Sequence, residues 1–370
     1  MHHPRLGDSL DLLDTPAMLV DLPVMDANIA RLMQRMRHTG VRVRPHLKTV
    51  KSPALAHLFL AAGAVGGCVA KVSEAEVMLQ GGIDDLLITT EIVGAPKLAR
   101  LVRLREQAPR LKVVVDSLTG ARALNHALRE AGLRQDVLLD LNVGQNRCGV
   151  LPGEPALALA HGLRTLSSLH LVGVQGYEGH LQHLSDAIER GQRCRQAMHL
   201  LTTTADQLRA AGFAIEIVTT GGTGTAEICA SSAGVTEVQP GSFVFMDTDY
   251  RHALGGQYAH ALTILSTVIS RPEPRRAVID AGCKSLATDS GIPELKGGPE
   301  VRYRSAGDEH GILTWEDGDL PAGVSLEVGE RIEMFPGHID TTVNLHDWYY
   351  AHREGKLEAL WPVAARGKVQ

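Results

Sequence analysis

KVVVDSLTGARALNHALREAGLRQDVLLDL, Lys112 to Leu141, holds one full repeat of the pattern that decides the fold: a β-branched run (KVVV), a segment of helical period, and a second apolar run (DVLLDL). The same alternation extends both ways, from about residue 22 to residue 254. Upstream the strand candidates are VRVR (Val41 to Arg44), GCVA (Gly67 to Ala70) and DLLIT (Asp85 to Thr89). Downstream they are LVGVQGY (Leu171 to Tyr177), EIVTT (Glu216 to Thr220) and TEVQPG (Thr236 to Gly241). Helix candidates lie between them. Met25, Ile29, Leu32, Met33 and Met36 share one helical face, as do Met198, Leu201, Ala205 and Leu208. Ser73 with Glu76 has the form of a capping box at another helix start.

Strands alternating with helices imply right-handed crossovers and a parallel sheet. Eight repeats in roughly 220 residues fit a closed (β/α)8 barrel of TIM type better than an open doubly wound sheet. After Leu254 the pattern changes to Thr/Val/Ile-rich runs separated by Pro and Gly turns (ALTILSTVIS, RAVIDAG, SLEVGERIEMF), which predicts an all-β domain. TPAMLVDL, Thr15 to Leu22, precedes the first repeat and reads as a strand of that same domain. The expected organisation is a barrel over 22–254 and a discontinuous β domain over 1–21 and 255–370.

Composition narrows the partners. The 370 residues are 44% apolar and 21% charged, with 38 Gly and 17 Pro, which excludes a disordered, collagenous or disulfide-dense chain. Lys plus Arg number 37 against 42 Asp plus Glu, a formal charge of −5, so no bulk attraction to nucleic acid or anionic membranes is expected. Cys68, Cys148, Cys194, Cys229 and Cys283 are odd in number, without CxxC spacing, which points to a reducing cytoplasm rather than a disulfide framework or a thiolate zinc site. MHHPRLGDSLDLLD carries acids where an export signal needs a basic start and an apolar run. Ser52 to Ala70 holds no charge, but Pro53, Gly63, Gly66 and Gly67 interrupt it. It reads as a buried helix, a turn and a strand rather than a membrane span.

In a (β/α) barrel the chemistry sits at the C-terminal ends of the strands. After the seventh run comes TTGGTGT, Thr219 to Thr225, where glycines let backbone N–H groups approach an anion and threonines add hydroxyls. That is the usual phosphate position of such barrels, although a plain turn has the same composition. After the first run comes RPHLKTVK, with Lys48 near the strand end. A lysine desolvated in a barrel mouth suits Schiff-base chemistry. A phosphate loop and a carbonyl-reactive lysine on one rim together suggest pyridoxal 5′-phosphate. NVGQNRCGV brings Arg147, and GYEGHLQH brings Tyr177, His180 and His183, to neighbouring strand ends, where a guanidinium and a phenol can bond a cofactor. In the β domain, FPGHIDTTVNLHD places His338 and Asp340 two apart, on one side of an extended segment, an imidazole and carboxylate set suited to Zn²⁺, Mn²⁺ or Mg²⁺. His-x-Asp is frequent by chance, and His180 with His183 is a competing pair.

RPHLKTVK, NVGQNRCGV, TTGGTGT, QPGSFVFMD, DAGCKS, DEHG and PGHIDTTVNLHD, in that order, resemble the D-threonine aldolase and D-serine dehydratase group of alanine-racemase-like, fold-type III pyridoxal phosphate enzymes. The resemblance runs from about Asp14 to the C-terminus. It implies the same two-domain architecture, Lys48 as the Schiff-base lysine, and His46, Arg147, Tyr177, Thr220, Gly222, Thr223, Gly224 and Thr225 as cofactor contacts. It makes His338 and Asp340 a divalent-metal pair; the dehydratases of the group usually carry Cys where Asp340 stands, which favours the aldolases. Where those aldolases have Tyr-His-Gly-small, this chain has Tyr177, Glu178, Gly179 and His180.

The implied activity is a metal-dependent retro-aldol cleavage of D-3-hydroxy-α-amino acids to glycine and an aldehyde, with His183 or metal-bound hydroxide as the base. The same residues can run β-elimination from D-serine or 3-hydroxyaspartate. Racemisation gives a metal no task, a non-catalytic cofactor carrier of barrel type has no β domain, and a hydrolase without pyridoxal phosphate would be colourless. A homodimer is expected by resemblance.

Overall fold

The computed structural model describes residues 4–316, 320 and 323–370; the first three residues of the opening stretch read for an export signal lie outside them. The chain divides into two compact units, one formed by Met1–Ala30, Thr49–Lys51 and Ser242–Arg366, the other by Arg31–Lys48, Ser52–Gly241 and Gly367–Gln370.

The first unit begins with β1 (Ala17–Asp21), the strand read in TPAMLVDL. The second unit contains the predicted repeats as β2 (Arg42–Val43), β3 (Gly67–Val69), β4 (Leu86–Ile88), β5 (Lys112–Val115), β6 (Gln135–Leu141), β7 (Leu169–Gly176), β8 (Ile217–Thr220) and β9 (Glu237–Val238). They form one parallel sheet in the order β2-β9-β8-β7-β6-β5-β4-β3. The two outer strands are joined beyond the end of β2: Leu47 N–H donates to Cys68 O at 2.7 Å and Cys68 N–H to Pro45 O at 2.8 Å, a parallel bridge between His46 and Cys68. The eight strands thus close into the barrel that the periodicity implies.

Cys68, Leu87, Val114, Leu138, Val172 and Ile217, one side chain from each of six consecutive strands, pack as a single apolar cluster. Beside it lies a buried charge cluster. Arg44 Nε is 2.9 Å from Glu237 Oε2 and Nη1 2.7 Å from Asp85 Oδ1, with Lys112 Nζ 3.2 Å from the same Asp85 oxygen. Burial alone would raise the Asp85 carboxyl, but Arg44 and Lys112 overcome it and hold it below the usual carboxylate range.

The helices follow the expected faces. Helix Leu22–Arg37 buries Met25, Ile29, Leu32 and Met36, and helix Ala187–Ala210 buries Met198, Leu201, Ala205 and Leu208. The uncharged stretch after Lys51 is helix Pro53–Ala61, a turn and β3. The capping box differs from expectation. The cap of helix Val72–Gln80 is Lys71, two positions before Ser73, and Glu74 takes the N–H groups of Ala70 (2.8 Å) and Lys71 (3.2 Å). Glu76, two residues further on, instead bonds Arg100 Nε at 2.7 Å.

The first unit continues with β10 (Leu262–Glu273), β11 (Arg276–Ile279), β12 (Glu294–Leu295), β13 (Arg302–Ser305), β14 (Gly311–Thr314), β15 (Arg331–Phe335), β16 (Trp348–Arg353) and β17 (Lys356–Pro362). With β1 they make a nine-stranded sheet, β11-β14-β13-β12-β15-β10-β1-β16-β17, in which β10 also pairs with β11 and so closes β10 to β15 on themselves. β1 enters between β10 and β16, pairing antiparallel with the former and parallel with the latter.

Removing one member of the Arg44 cluster leaves a buried charge uncompensated. Glu237→Gln is expected to lower unfolding free energy by about 3–5 kcal/mol in denaturant titrations, and replacing Arg44 and Glu237 together by Met and Leu to recover much of that loss.

Candidate active site

Because the strands of the barrel are parallel, the segments that follow them emerge on one rim. At the β2 end, the bridge to Cys68 holds the chain through His46 to Lys48. Lys48 N–H donates to His46 Nδ1 at 3.4 Å, which places the imidazole proton on Nε2, 3.0 Å from Thr89 Oγ1. Thr89 in turn donates to Val69 O at 3.2 Å. Lys48 is half-buried at this corner.

After β6, Asn142 Oδ1 accepts the N–H groups of Gly144 (3.1 Å) and Asn146 (3.0 Å) and folds the loop back. The exposed Arg147 then sits with Cζ 5.8 Å from the centre of the Tyr177 ring, which follows β7. His180 packs against Gly144, where a Cβ would lie 3.1 Å from its Cε1. Lost solvent, and then Arg193, hold His180 below the usual imidazole range. His183 is exposed.

Below the rim runs a buried polar ladder. Gln175 Nε2 donates to Asp140 Oδ1 at 2.9 Å, and Gln239 Nε2 donates to Gln175 Oε1 at 3.2 Å and to Thr219 Oγ1 at 2.8 Å. Burial pushes the Asp140 carboxyl up to about 7, with Glu91 adding to the effect against the bond from Gln175.

The loop after β8 is tied down from inside. The hydroxyl of Thr220 donates to Glu178 Oε2 at 3.0 Å and that of Thr225 to Glu178 Oε1, so neither proton is directed outward as the composition suggests. Gly222 N–H donates to Thr225 Oγ1 at 3.2 Å and Gly224 N–H to Gln182 Oε1 at 2.9 Å. Thr223 is buried. Glu178 also lies beside Cys194 and Cys229, the three forming the group of metal-type ligands within 4.8 Å found among the described residues. Burial pushes the Cys229 thiol well up, and it donates to Glu178 at 3.7 Å.

His338 and Asp340 belong to the first unit. They do not share an extended segment: His338 caps helix Ile339–Val343 and Asp340 lies in its first turn. The helix starts here because the buried Asp247 Oδ2 accepts Ile339 N–H at 2.9 Å. Burial pushes Asp247 up to about 6. His338 Nε2 is 3.9 Å from Asp340 Oδ2, and its Nδ1 bonds Asp289 Oδ2 at 2.8 Å. Partial burial would raise Asp289, but bonds from Thr341 and His338 hold it below the usual carboxylate range. A carboxylate behind a histidine that presents its other nitrogen beside a second carboxylate is the donor arrangement of a divalent-metal site.

Residues 20–249 match the alanine racemase N-terminal domain, and residues 261–352 the putative serine dehydratase domain. A D-threonine aldolase of Arthrobacter sp is 39% identical over 364 residues, 98% of this chain and 95% of that one. A 3-hydroxy-D-aspartate aldolase of Paracoccus denitrificans (strain Pd 1222) is 36% identical over 365 residues, 96% of this chain and 93% of that one. The crystal structure of D-threonine aldolase from Filomicrobium marinum superposes with a TM-score of 0.95 at 41% identity, covering 99% of this chain and 100% of that one. The chain belongs to the D-threonine aldolase and D-serine dehydratase group.

This group is one of alanine-racemase-like, fold-type III pyridoxal phosphate enzymes, and the residues present fit its cofactor. The strand ends bring His46, Lys48, Arg147, Tyr177, His183 and the 220–225 loop to one rim, offering an amine for a carbonyl, a cation and a ring for an aromatic system, and a glycine-rich loop for an anion. Spacing alone does not single out Asp140, Gln175, Gln239 or Asp289. The signal for the first two is a polar residue inside an apolar strand run (DVLLDL, LVGVQGY); Asp289 carries no local signal.

Asp289→Asn is expected to weaken divalent-metal affinity about 10–100-fold in chelator competition, with the fold unchanged by circular dichroism. A second expectation concerns Asp140. Its proton is held more tightly folded than unfolded, so the stability it contributes is fully present below about pH 4 and is lost as pH rises to about 7. Asp140→Asn should flatten the fall in unfolding free energy across that window, by roughly 1.4 kcal/mol for each pH unit.

Proposed function

We propose that this chain is a pyridoxal phosphate- and divalent-metal-dependent lyase that cleaves D-3-hydroxy-α-amino acids, D-threonine among them, to glycine and an aldehyde. In the overall reaction the Cα–Cβ bond breaks, the β-hydroxyl loses its proton as the C–O bond becomes a carbonyl, and Cα gains a proton. The observation that carries this reading is the imidazole and carboxylate pair His338 and Asp340, backed by Asp289, in a chain aligned with a D-threonine aldolase over 98% of its length.

Pyridoxal phosphate, when bound, supplies a carbonyl for the substrate amine and an electron sink for the bond that breaks. Lys48 contributes the amine that carbonyl chemistry needs, from a corner where the bonds through His46 restrict it. Arg147 and Tyr177 bind and orient an aromatic ring, and the 220–225 loop binds a phosphate. His338 and Asp340 would hold a divalent cation, a Lewis acid that lowers the pKa of a hydroxyl bound to it. His183 accepts the hydroxyl proton at its imidazole. In this reading the barrel is the cofactor-binding domain, the β domain bears the metal ligands, and the enzyme is a cytoplasmic homodimer. Five free thiols agree with a reducing compartment, and among the described residues no helix is long and apolar enough to cross a membrane.

The test is to incubate the purified protein with D-threonine, L-threonine and D-serine plus Mn²⁺, with and without a chelator, and identify products by mass. Glycine and acetaldehyde from D-threonine alone, lost on chelation, are expected; a 2-oxo acid with ammonia would overturn the aldolase reading in favour of β-elimination. His338→Ala is expected to cost at least about 100-fold in turnover while the Schiff-base absorbance of the bound cofactor persists.

A further inference from the structure

The turn after β7 places two buried polar side chains behind the 220–225 loop, Glu178 at 0% and Gln182 at 1% exposure. Gln182 Nε2 donates to Glu178 Oε1 at 3.1 Å and to Thr225 Oγ1 at 2.8 Å, while Gln182 Oε1 accepts Gly224 N–H at 2.9 Å. The Thr225 hydroxyl donates to Glu178 and accepts from both Gln182 and Gly222 N–H. One donor and two acceptors are all that a hydroxyl has, so Thr225 cannot turn toward a ligand without breaking the network. Thr220 is fixed by the other Glu178 oxygen. The loop is therefore tied at four points: the hydroxyls of residues 220 and 225 and the N–H groups of residues 222 and 224.

Sterics point the same way. A Cβ on Gly222 would lie 2.5 Å from Gln182 Oε1, and one on Gly224 2.4 Å from the Gln182 backbone oxygen. Neither glycine has the left-handed backbone of Gly221, whose φ is +81°. Gly222 and Gly224 are needed for close approach to Gln182 rather than for an unusual torsion. The hydroxyls of residues 220 and 225 and the N–H groups of residues 222 and 224 are spent inside the protein, so their part is to fix the course of the loop's backbone, and a backbone anion site binds well only when its directions are set in advance.

We propose that Glu178 and Gln182 are positioning residues for the cofactor's phosphate: they hold the 220–225 loop in its anion-binding shape without touching the anion. The inference rests on the reading of the barrel as the pyridoxal phosphate site. It assigns a task to the one carboxylate in the motif GYEGHLQH and explains why a negative group tolerates a place behind a phosphate loop. Its oxygens are saturated by Thr220, Thr225, Gln182 and Cys229, so their charge is spread over protein donors before the phosphate arrives.

The experiment compares two probes, pyridoxal 5′-phosphate and pyridoxal, on the cofactor-stripped full chain, by the Schiff-base absorbance band. The wild type should bind the phosphorylated probe far more tightly. Glu178→Ala should cut that advantage about tenfold or more with pyridoxal binding unchanged, and Glu178→Gln, whose amide can accept from Thr225 and donate to Thr220, should restore most of it. If Glu178→Ala does not fold, Gln182→Met, similar in length, should show the same selective loss. An unchanged ratio of the two affinities in folded variants would overturn the positioning role while leaving the cofactor reading intact. A wild type that takes up neither probe would overturn the cofactor reading itself, and the inference with it.

Discussion

The barrel depends on how its last edge is sealed. A parallel sheet leaves a row of unpaired N–H and C=O groups at each end, and buried groups of that kind must find partners. β2 and β3 are only two and three residues long; β2 pairs with β9 on one side, and on the other its Val43 O accepts Val65 N–H at 3.0 Å. Closure is completed by the residues beyond the end of β2, where Pro45 and Leu47 exchange bonds with Cys68. The same backbone groups that seal the ring also fix His46 and Lys48. A lysine placed this way has its main chain held by the fold, and its side chain leaves from a defined point on the rim.

Beneath that rim, charge is managed in three ways. At Arg44, Glu237, Asp85 and Lys112, opposite charges face each other, so the carboxyl of Asp85 stays well ionised. Asp140 faces Gln175 and Glu91 instead; the bond from Gln175 and the charge of Arg147 do not offset its burial, and its carboxyl rises to about 7. The difference lies in the neighbours, since Asp140 in β6 and Asp85 just before β4 both have restricted solvent. Glu178 follows a third route, with hydroxyl, amide and thiol donors converging on one carboxylate. Each arrangement links neighbouring strands or loops through side chains, so the polar groups fix how the rim segments lie, while the apolar cluster from Cys68 to Ile217 supplies burial without that directional information.

Much of this was legible in the chain. The eight barrel strands could be read because each is a short apolar run bounded by turn residues, and a run of that kind has few other stable environments. Their observed ends are mostly shorter than the runs, since the final residues, such as Tyr177 after β7, bend into the rim instead of continuing the ladder. The candidate site was legible as residue types at strand ends. It failed where local spacing had two solutions. His338 and Asp340 read as an extended pair, yet Asp247 caps Ile339 and starts a helix between them; Ser73 and Glu76 read as a capping box, yet Glu74 holds the helix start.

By itself the sequence determined the fold class, the two kinds of sheet, and which residue types stand at the ends of the barrel strands. Those properties follow from hydrophobic period and from motifs only a few residues long. Tertiary structure alone decided the partners: Asp289 behind His338, 49 residues away, and Glu178 under Thr225, 47 residues away. A hydrogen bond is set by a few tenths of an ångström between atoms that the folded backbone brings together, and no periodicity along the chain encodes that separation.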